Sequence, residues 1–409
     1  MNNFKEFITE QKNTHMTHIE DKVLYGGVNG TRQAIFALRN LRDMLGGRKA
    51  GKVSVKWDGA PAIFAGTDPR DGKFFVAKKG IFNKNPKVYK TNADIDADTS
   101  GDLNAKLKEA LKHLSKLGIK DVIQGDFLFG AGDRKIKTID GQKYLTFHPN
   151  TIVYAIPMDQ AQEVRKAKIG IVWHTTYKGK AFETMRASYG VNVKALKKVP
   201  QVWSQDAMLR DVSKATMTSQ ETKEINKVLS EIGTLFNKIS GSALRQLEKN
   251  QVLAQHIETF SNSLVRQGIS FHTQNEKRLV ANCIAFIRKK YAKEIEKRKT
   301  PAGKTTQQKK LDELLSFFSE SNKADLERVF RLQKLIITAK LKLINNLNKL
   351  QDIETFVKTK RGFKVTGAEG FVAIDQLGGD AVKIVDRMEF SYNNFSPNIL
   401  KGWDTPSRS

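Results

Sequence analysis

The chain has 409 residues, 39% of them hydrophobic and 28% charged, which excludes a disordered or fibrous protein and leaves room for two or three domains. Lysine and arginine number 70 against 43 aspartates and glutamates, a formal charge of +27 that favours a polyanionic partner, because basic side chains displace the counterions of a phosphate backbone. The single cysteine, Cys283, excludes an internal disulfide or a thiolate zinc cage, and no run approaches the ~18 apolar residues of a membrane-spanning helix. The opening MNNFKEFITEQ has no basic stretch leading into an apolar core, so no secretory leader is expected and a reducing cytoplasm fits.

Residues 1–50 read as a helical segment. In QAIFALRNLRDML, Ile35, Leu38, Leu41 and Leu45 recur near the helical period, and Gly46-Gly47 closes the run. YGGVNGT before it reads as a glycine turn, with Asn29 or Thr31 as a cap. Residues 51–180 read as strands broken by turns: VSV, AIFAG, KFFVAKKG, DVIQGDFLFG, KYLTFH, TIVYAI and KIGIVWHTTY. TDPRDGK reads as a hairpin loop between the second and third, and one helix over 103–117 interrupts the series. From about 206 to 355 long amphipathic stretches predict an all-helical block, with TPAGKTTQQ (300–308) as a loop inside it. Strand character returns in FKVTGAEGFVAID and DAVKIVDRMEFS.

Within the strand region, VSVKWDGAPA sets Lys56 at the end of a short apolar strand, before an Asp58-Gly59 turn and a run of small residues. Small residues let a ligand approach the backbone. An amine becomes a nucleophile when it sheds its proton, and neighbouring cations favour the neutral form. Lys78 and Lys79, at the end of a strand one hairpin away, are candidates for that role and for binding phosphate. AGKTT in the helical block is not a phosphate loop, because Arg298 stands where its first glycine is needed. The histidines are scattered; His148 and His174 lie among the strands, where they could line the cleft, and a structural role is expected of both. No serine or cysteine stands out as a nucleophile with a triad.

KWDG resembles the Lys-x-Asp-Gly signature of the covalent nucleotidyltransferases, the superfamily of ATP-dependent DNA ligases, RNA ligases and mRNA capping enzymes. Further motifs follow in family order. AKKG (77–80) resembles the second short motif, with Lys78 in the basic place; QGDFLF (124–129) resembles the Gly-acid-apolar strand, with Asp126 as its acid. TIVYAIP (151–157) resembles the strand whose ring stacks on adenine, here Tyr154. EGFVAI (369–374) resembles the Glu-Gly-apolar-Val motif, with Glu369 as its acid, and AVKIV (381–385) resembles the final lysine motif, with Lys383. The likeness covers about 51–180 and 362–390 and is closest to phage-type, RNA-ligase-like members.

The resemblance implies an α+β fold, with a nucleotidyltransferase core (the ATP-grasp-like adenylation domain of ligases) built of antiparallel sheets and split by a large all-helical insertion. The expected division is 1–50, an N-terminal helical segment; 51–205, the first part of the adenylation domain; 206–355, the insertion; and 356–409, the second part. It implies an ATP-dependent polynucleotide ligase that forms a lysyl-AMP and seals 5′-phosphate to 3′-hydroxyl ends of RNA or DNA. In it Lys56, Glu369 and Lys383 are catalytic. Asp58, Gly59, Lys78, Asp126 and Tyr154 join them in binding the nucleotide, and Asp126 and Glu369 hold Mg²⁺ or Mn²⁺. Asp58 is expected to fix the loop rather than do chemistry. Lys78, Lys79, Arg288, Lys289 and Lys290 are the candidate nucleic-acid contacts, the last three in the cation-rich stretch 288–310.

The sequence departs from the pattern in places. Pro61 stands where DNA ligases carry arginine, Asp126 is one methylene shorter than the usual glutamate, and Ala381 and Val385 leave one lysine in the last motif. The short stretch after Asp386 leaves no space for an OB-fold, which tilts the expectation toward RNA over DNA. A basic nucleic-acid-binding protein with an inactive core is the other class, and a nucleotide adduct on Lys56 separates the two.

Overall fold

A computed structural model of the chain describes residues 17–47, 52–208, 217–350, 353–374 and 381–402. It opens with a short helix, α1 (Lys22–Tyr25), and a long one, α2 (Gly27–Leu45), whose apolar face is buried at Ala34, Ile35, Leu38, Leu41 and Leu45. Strand β1 (Lys52–Lys56) precedes the hairpin β2 (Ala62–Thr67) and β3 (Phe74–Ala77). Helices α3 (Asn92–Asp98) and α4 (Gly101–Leu114) lead to β4 (Val122–Phe129). A meander follows, β5 (Lys135–Ile139), β6 (Gln142–Phe147) and β7 (Ile152–Pro157). After α5 (Gln162–Lys166) come β8 (Ile169–Lys178), β9 (Arg186–Tyr189) and β10 (Val202–Asp206). The helical block contains α6 (Ser219–Lys238), α7 (Gly241–Lys249), α8 (Gln251–Arg266), α9 (Glu276–Glu296), α10 (Pro301–Ser316) and α11 (Glu320–Asn348). The chain returns through β11 (Glu354–Thr359), β12 (Gly362–Val365), β13 (Gly370–Ile374) and β14 (Ala381–Ile384) to α12 (Arg387–Phe395) and β15 (Ile399–Leu400).

The fold is mixed α/β, and its sheets are antiparallel except where β10 runs parallel to β8. One sheet has the order β10-β8-β4-β2-β3, with β9 also on β8; a second has the order β12-β11-β7-β6-β5, with β15 also on β11. The two share a core of Phe129, Phe147, Tyr154, Ile156, Val172 and Trp203. The far side of the first sheet is covered by α4, whose Leu107, Ala110 and Leu114 meet Ile63, Ile123 and Trp173. The third sheet, β1-β13-β14, joins the beginning of the chain to its end. Its free edge is stitched to the segment after β10, where the Val55 amide donates to the Ala207 carbonyl at 2.8 Å.

Residues 17–47 are helical, and they share a core with the rest: α2 packs on α6, α7 and α11, and its core is continuous with the helical block and with Val53, Phe371 and Ile384 of the third sheet. Two expectations are corrected. The stretch 300–308 is the start of α10, not a loop. Thr300 accepts a hydrogen bond from the Gly303 amide at 3.2 Å and Pro301 takes the first helical position, where a missing N–H costs nothing. Finally, strand character stops at Ile384, because Asp386 caps α12 by accepting from the Met388 and Glu389 amides.

A buried ionic cluster ties the start of the chain to both the helical block and α12. Lys340 of α11 donates to Glu20 at 2.8 Å, and Arg387 reaches Glu20 at 3.2 Å and also pairs with Asp21. All four side chains are largely withdrawn from water, where each charge depends on its partner.

Candidate active site

Lys56 is the last residue of β1 and lies opposite Gly370 in the β1–β13 register. That register brings Glu369 to the lysine, and Lys56 Nζ contacts Glu369 Oε1. The Glu369 side chain is 9% exposed, against 30% for Lys56. Gly370 has no room for a side chain: a Cβ there would stand 2.3 Å from Val385 Cγ2.

The turn after Lys56 is fastened at several points. The Asp58 carboxylate is buried and accepts from Asn150 Nδ2 at 2.6 Å, the Thr151 amide at 2.6 Å and the Ile152 amide at 2.8 Å. The Asp58 amide donates to Tyr154 Oη at 2.6 Å. Ala60 and Pro61 exchange backbone hydrogen bonds with Phe127 at 2.9 and 3.0 Å. Gly59 presses so closely on β4 that a Cβ would lie 2.6 Å from Asp126 Cβ and 2.9 Å from the Phe127 carbonyl. These contacts seat the Asp58-Gly59 turn between β4 and β7 and aim the end of β1 into the gap.

Asp126 stands on β4 between Ala62 of β2 and Val172 of β8. Burial pushes its carboxyl up to about 7; Lys56 pulls the other way, Asp58 adds to the rise and Lys79 opposes it. Glu369 is likewise pushed up to about 7 by burial, with Lys56 opposing and Asp58 and Asp126 adding. Two withdrawn carboxyls therefore feel the same ammonium and each other. Lys383 on β14 is the third charge: burial pulls its pKa down, Lys56 adds to the fall and Glu369 counters it. Its Nζ lies 5.2 Å from the centre of the Phe390 ring.

His174, expected to be structural but able to line the cleft, stands beside Asp126. The β4–β8 register slips between Gln124 and Gly125, leaving His174 as an extra residue on β8. Its Nε2 lies 3.9 Å from Asp126 Oδ2 and its Nδ1 2.8 Å from Thr175 Oγ1. Burial, then Lys56, pushes the imidazole down to about 4, so the ring is neutral at pH 7. A β-bulge has no sequence signature here, so the sequence does not show which of the two strand histidines turns toward Asp126. His148 is structural, as expected: its Nε2 lies 3.2 Å from the Thr151 carbonyl.

Other expected site residues fall elsewhere. Tyr154 is 3% exposed, with Trp57 stacked on its ring at 4.8 Å and Phe147 at 5.4 Å. No ring face is left for a base, so the assignment of Tyr154 as the stacking platform is corrected: it is a core prop for the Asp58 turn. Lys78 is held by Asp98 at 3.1 Å, beside Lys87 and the Tyr89 hydroxyl on the same carboxylate. After Lys56, the lysine that acts on the Asp126 charge is the neighbour of Lys78, Lys79, which is exposed. Arg288, Lys289 and Lys290 lie exposed on α9 in the helical block, with Lys290 Nζ 3.3 Å from His256 Nδ1.

Among the described residues no three His, Cys, Asp or Glu side chains come together as a metal cage. Asp126 and Glu369, the two carboxylates beside Lys56, are the hard oxygen donors that could hold a Mg²⁺ or Mn²⁺ together with phosphate oxygens. Among the described residues no helix is long and apolar enough to cross a membrane.

Fold and site together define a mixed α/β protein in which β1 and β13, far apart in the chain, bring a lysine and a carboxylate into contact. The chain belongs to a family of unknown function, DUF6267, whose model matches residues 13–399. No curated protein and no solved structure matches it.

Proposed function

We propose that the protein is an ATP-dependent polynucleotide ligase of the covalent nucleotidyltransferase type, acting on RNA by preference, with Lys56 as the residue that takes up AMP. The observation that carries the reading is convergence. Glu369 touches Lys56, and Asp126 and Lys383 both sense its charge, although the three stand in separate stretches of the chain. The fastened Asp58 turn supports it as well, since a nucleophile held in one orientation meets phosphorus at little further entropic cost.

In the first step Lys56 Nζ attacks the α-phosphorus of ATP. The nitrogen–phosphorus bond forms as the bond to the bridging oxygen of pyrophosphate breaks, and the proton that Lys56 must lose has Glu369 as its nearest acceptor. A 5′-phosphate oxygen of the nucleic acid then attacks the same phosphorus and releases Lys56. A 3′-hydroxyl next attacks the activated strand phosphate and AMP leaves. Lys383 and Lys79 offset charge on the phosphate oxygens. Asp126 and Glu369 would hold Mg²⁺ or Mn²⁺, which when bound neutralises phosphate charge. His174, half-buried beside Asp126, is a ring that could face the nucleotide base.

Incubation with α-labelled ATP and Mg²⁺ or Mn²⁺ tests the reading. Label on the native chain, absent from Lys56→Ala, is the expected result; no label with either metal leaves a nucleic-acid-binding protein with an inactive core. Nicked duplexes of each strand composition then separate RNA from DNA joining, and all-DNA nicks sealing fastest would reverse the preference.

A further inference from the structure

We propose that the surface formed by β12 and α12 is a stacking platform for a single-stranded polynucleotide, beside the Lys56 cleft. Among the described residues, Val365 (69% exposed), Tyr392 (46%) and Phe395 (70%) stand out as large apolar side chains left in water on adjoining elements. Tyr392 and Phe395 are three residues apart on α12 and share one helix face. The flank of the helix beside them is anchored. The Glu389 carboxylate accepts from Thr366 Oγ1 at 2.7 Å and the Gly367 amide at 3.0 Å, and Asn393 Nδ2 donates to Thr366 Oγ1 at 2.9 Å. The two outward rings are thus held on a rigid support, which keeps the entropic cost of stacking low.

One cation lies over a ring, and more line the same hairpin. The β11–β12 hairpin carries Lys358, Lys360, Arg361 and Lys364, with no acidic residue from Thr355 to Ala368. Lys360, Arg361 and Lys364 are exposed, and Lys364 Nζ lies 5.5 Å from the centre of the Tyr392 ring. Exposed rings beside a hairpin rich in exposed cations match a strand whose bases present π-faces and whose phosphates run alongside. A duplex hides its base faces, so the rings select the single-stranded form. A membrane is the poorer fit: α12 spans nine residues and shows two outward rings, not the continuous apolar face of an interfacial helix.

The platform adjoins the cleft. Val365 is four positions before Glu369, and Phe390 of the same helix lies against Lys383. The destination of the bound strand rests on the ligase reading; the binding does not.

Anisotropy of labelled oligonucleotides of about 12 nucleotides, titrated with the full-length chain without ATP, tests the proposal. Single strands should bind more tightly than the blunt duplex. Phe395→Ala and Tyr392→Ala should each weaken single-strand binding by at least about fivefold. Phe395→Trp should keep the affinity, and its added fluorescence should be quenched by the oligonucleotide. Lys364→Gln should flatten the salt dependence by about 0.7 in the log–log slope. RNA and DNA arms report which strand is held. Unchanged affinity in both alanine variants overturns the platform, as does a native dimer that Phe395→Ala dissociates, which would make the ring face a contact between copies. Ring-dependent binding in a chain that takes no label at Lys56 supports the platform and overturns the ligase reading alone.

Discussion

Glu369→Gln should make the free protein more stable at pH 8 while ending nucleotide uptake. The Glu369 side chain is 9% exposed, and burial lifts its pKa from 4.5 to about 7 even though Lys56 favours the charged form. Between those two values the folded chain holds a proton that the unfolded chain has released. Stability therefore falls as pH rises through that window and levels off above about 7. A gap of this size corresponds to about 3 kcal/mol by pH 8. Glutamine never ionises and escapes the loss. Its amide is a weaker partner for the ammonium, so the expected net gain is about 1–3 kcal/mol, or roughly 1–3 °C in Tm for a chain this long. Thermal melts from pH 4.5 to 8.5 without nucleotide should show the variant level with the native chain at the acid end and pulling ahead above neutrality. A difference that does not change with pH, or a variant that melts lower at pH 8, would refute the claim that this carboxylate is held at a cost. Normal labelling by ATP would refute its role in uptake.

Asp58→Ala removes the acceptor for three hydrogen bonds at the start of β7 and should lower stability by about 3 kcal/mol in urea unfolding, with labelling lost as well; a change under about 0.5 kcal/mol would mean that the turn is held by other contacts. Gly59→Ala pushes a methyl to 2.6 Å from Asp126 Cβ and should destabilise by about 2 kcal/mol or disturb uptake, whereas native behaviour in both would deny the close approach. Lys340→Met strips a buried partner from Glu20 and should cost about 3–5 kcal/mol, read by the same unfolding titration; no change would show that Arg387 alone neutralises Glu20.

Much of the fold was legible because local physics and tertiary structure agree. The β2–β3 hairpin follows from Asp71-Gly72 between two apolar runs, and α2 from the spacing of its buried leucines. The helical block follows from the periodicity of its stripes, though its partnership with α2 does not, since a stripe shows that a helix is buried and not against what. β5 was missed because four of its five residues are exposed and carry no alternation. At the site, Lys56 and Glu369 were legible as motifs, and the β1–β13 register supplies their contact. Tyr154 and His174 show the limit. Both are rings on strands in the same region, and only packing reveals that one is covered on both faces while the other, displaced by a bulge, turns toward Asp126. Lys78 and Lys79 are adjacent, and Asp98 on α3 decides which of them is left for the cleft.

Mass spectrometry of the Lys56 peptide, after the purified chain has met ATP and a divalent metal, is the most direct test of the whole account. A gain of one adenylate on that lysine, absent when Glu369 is changed to glutamine, is the expected result. An unmodified peptide under every metal, or adenylate carried on another residue, would contradict it.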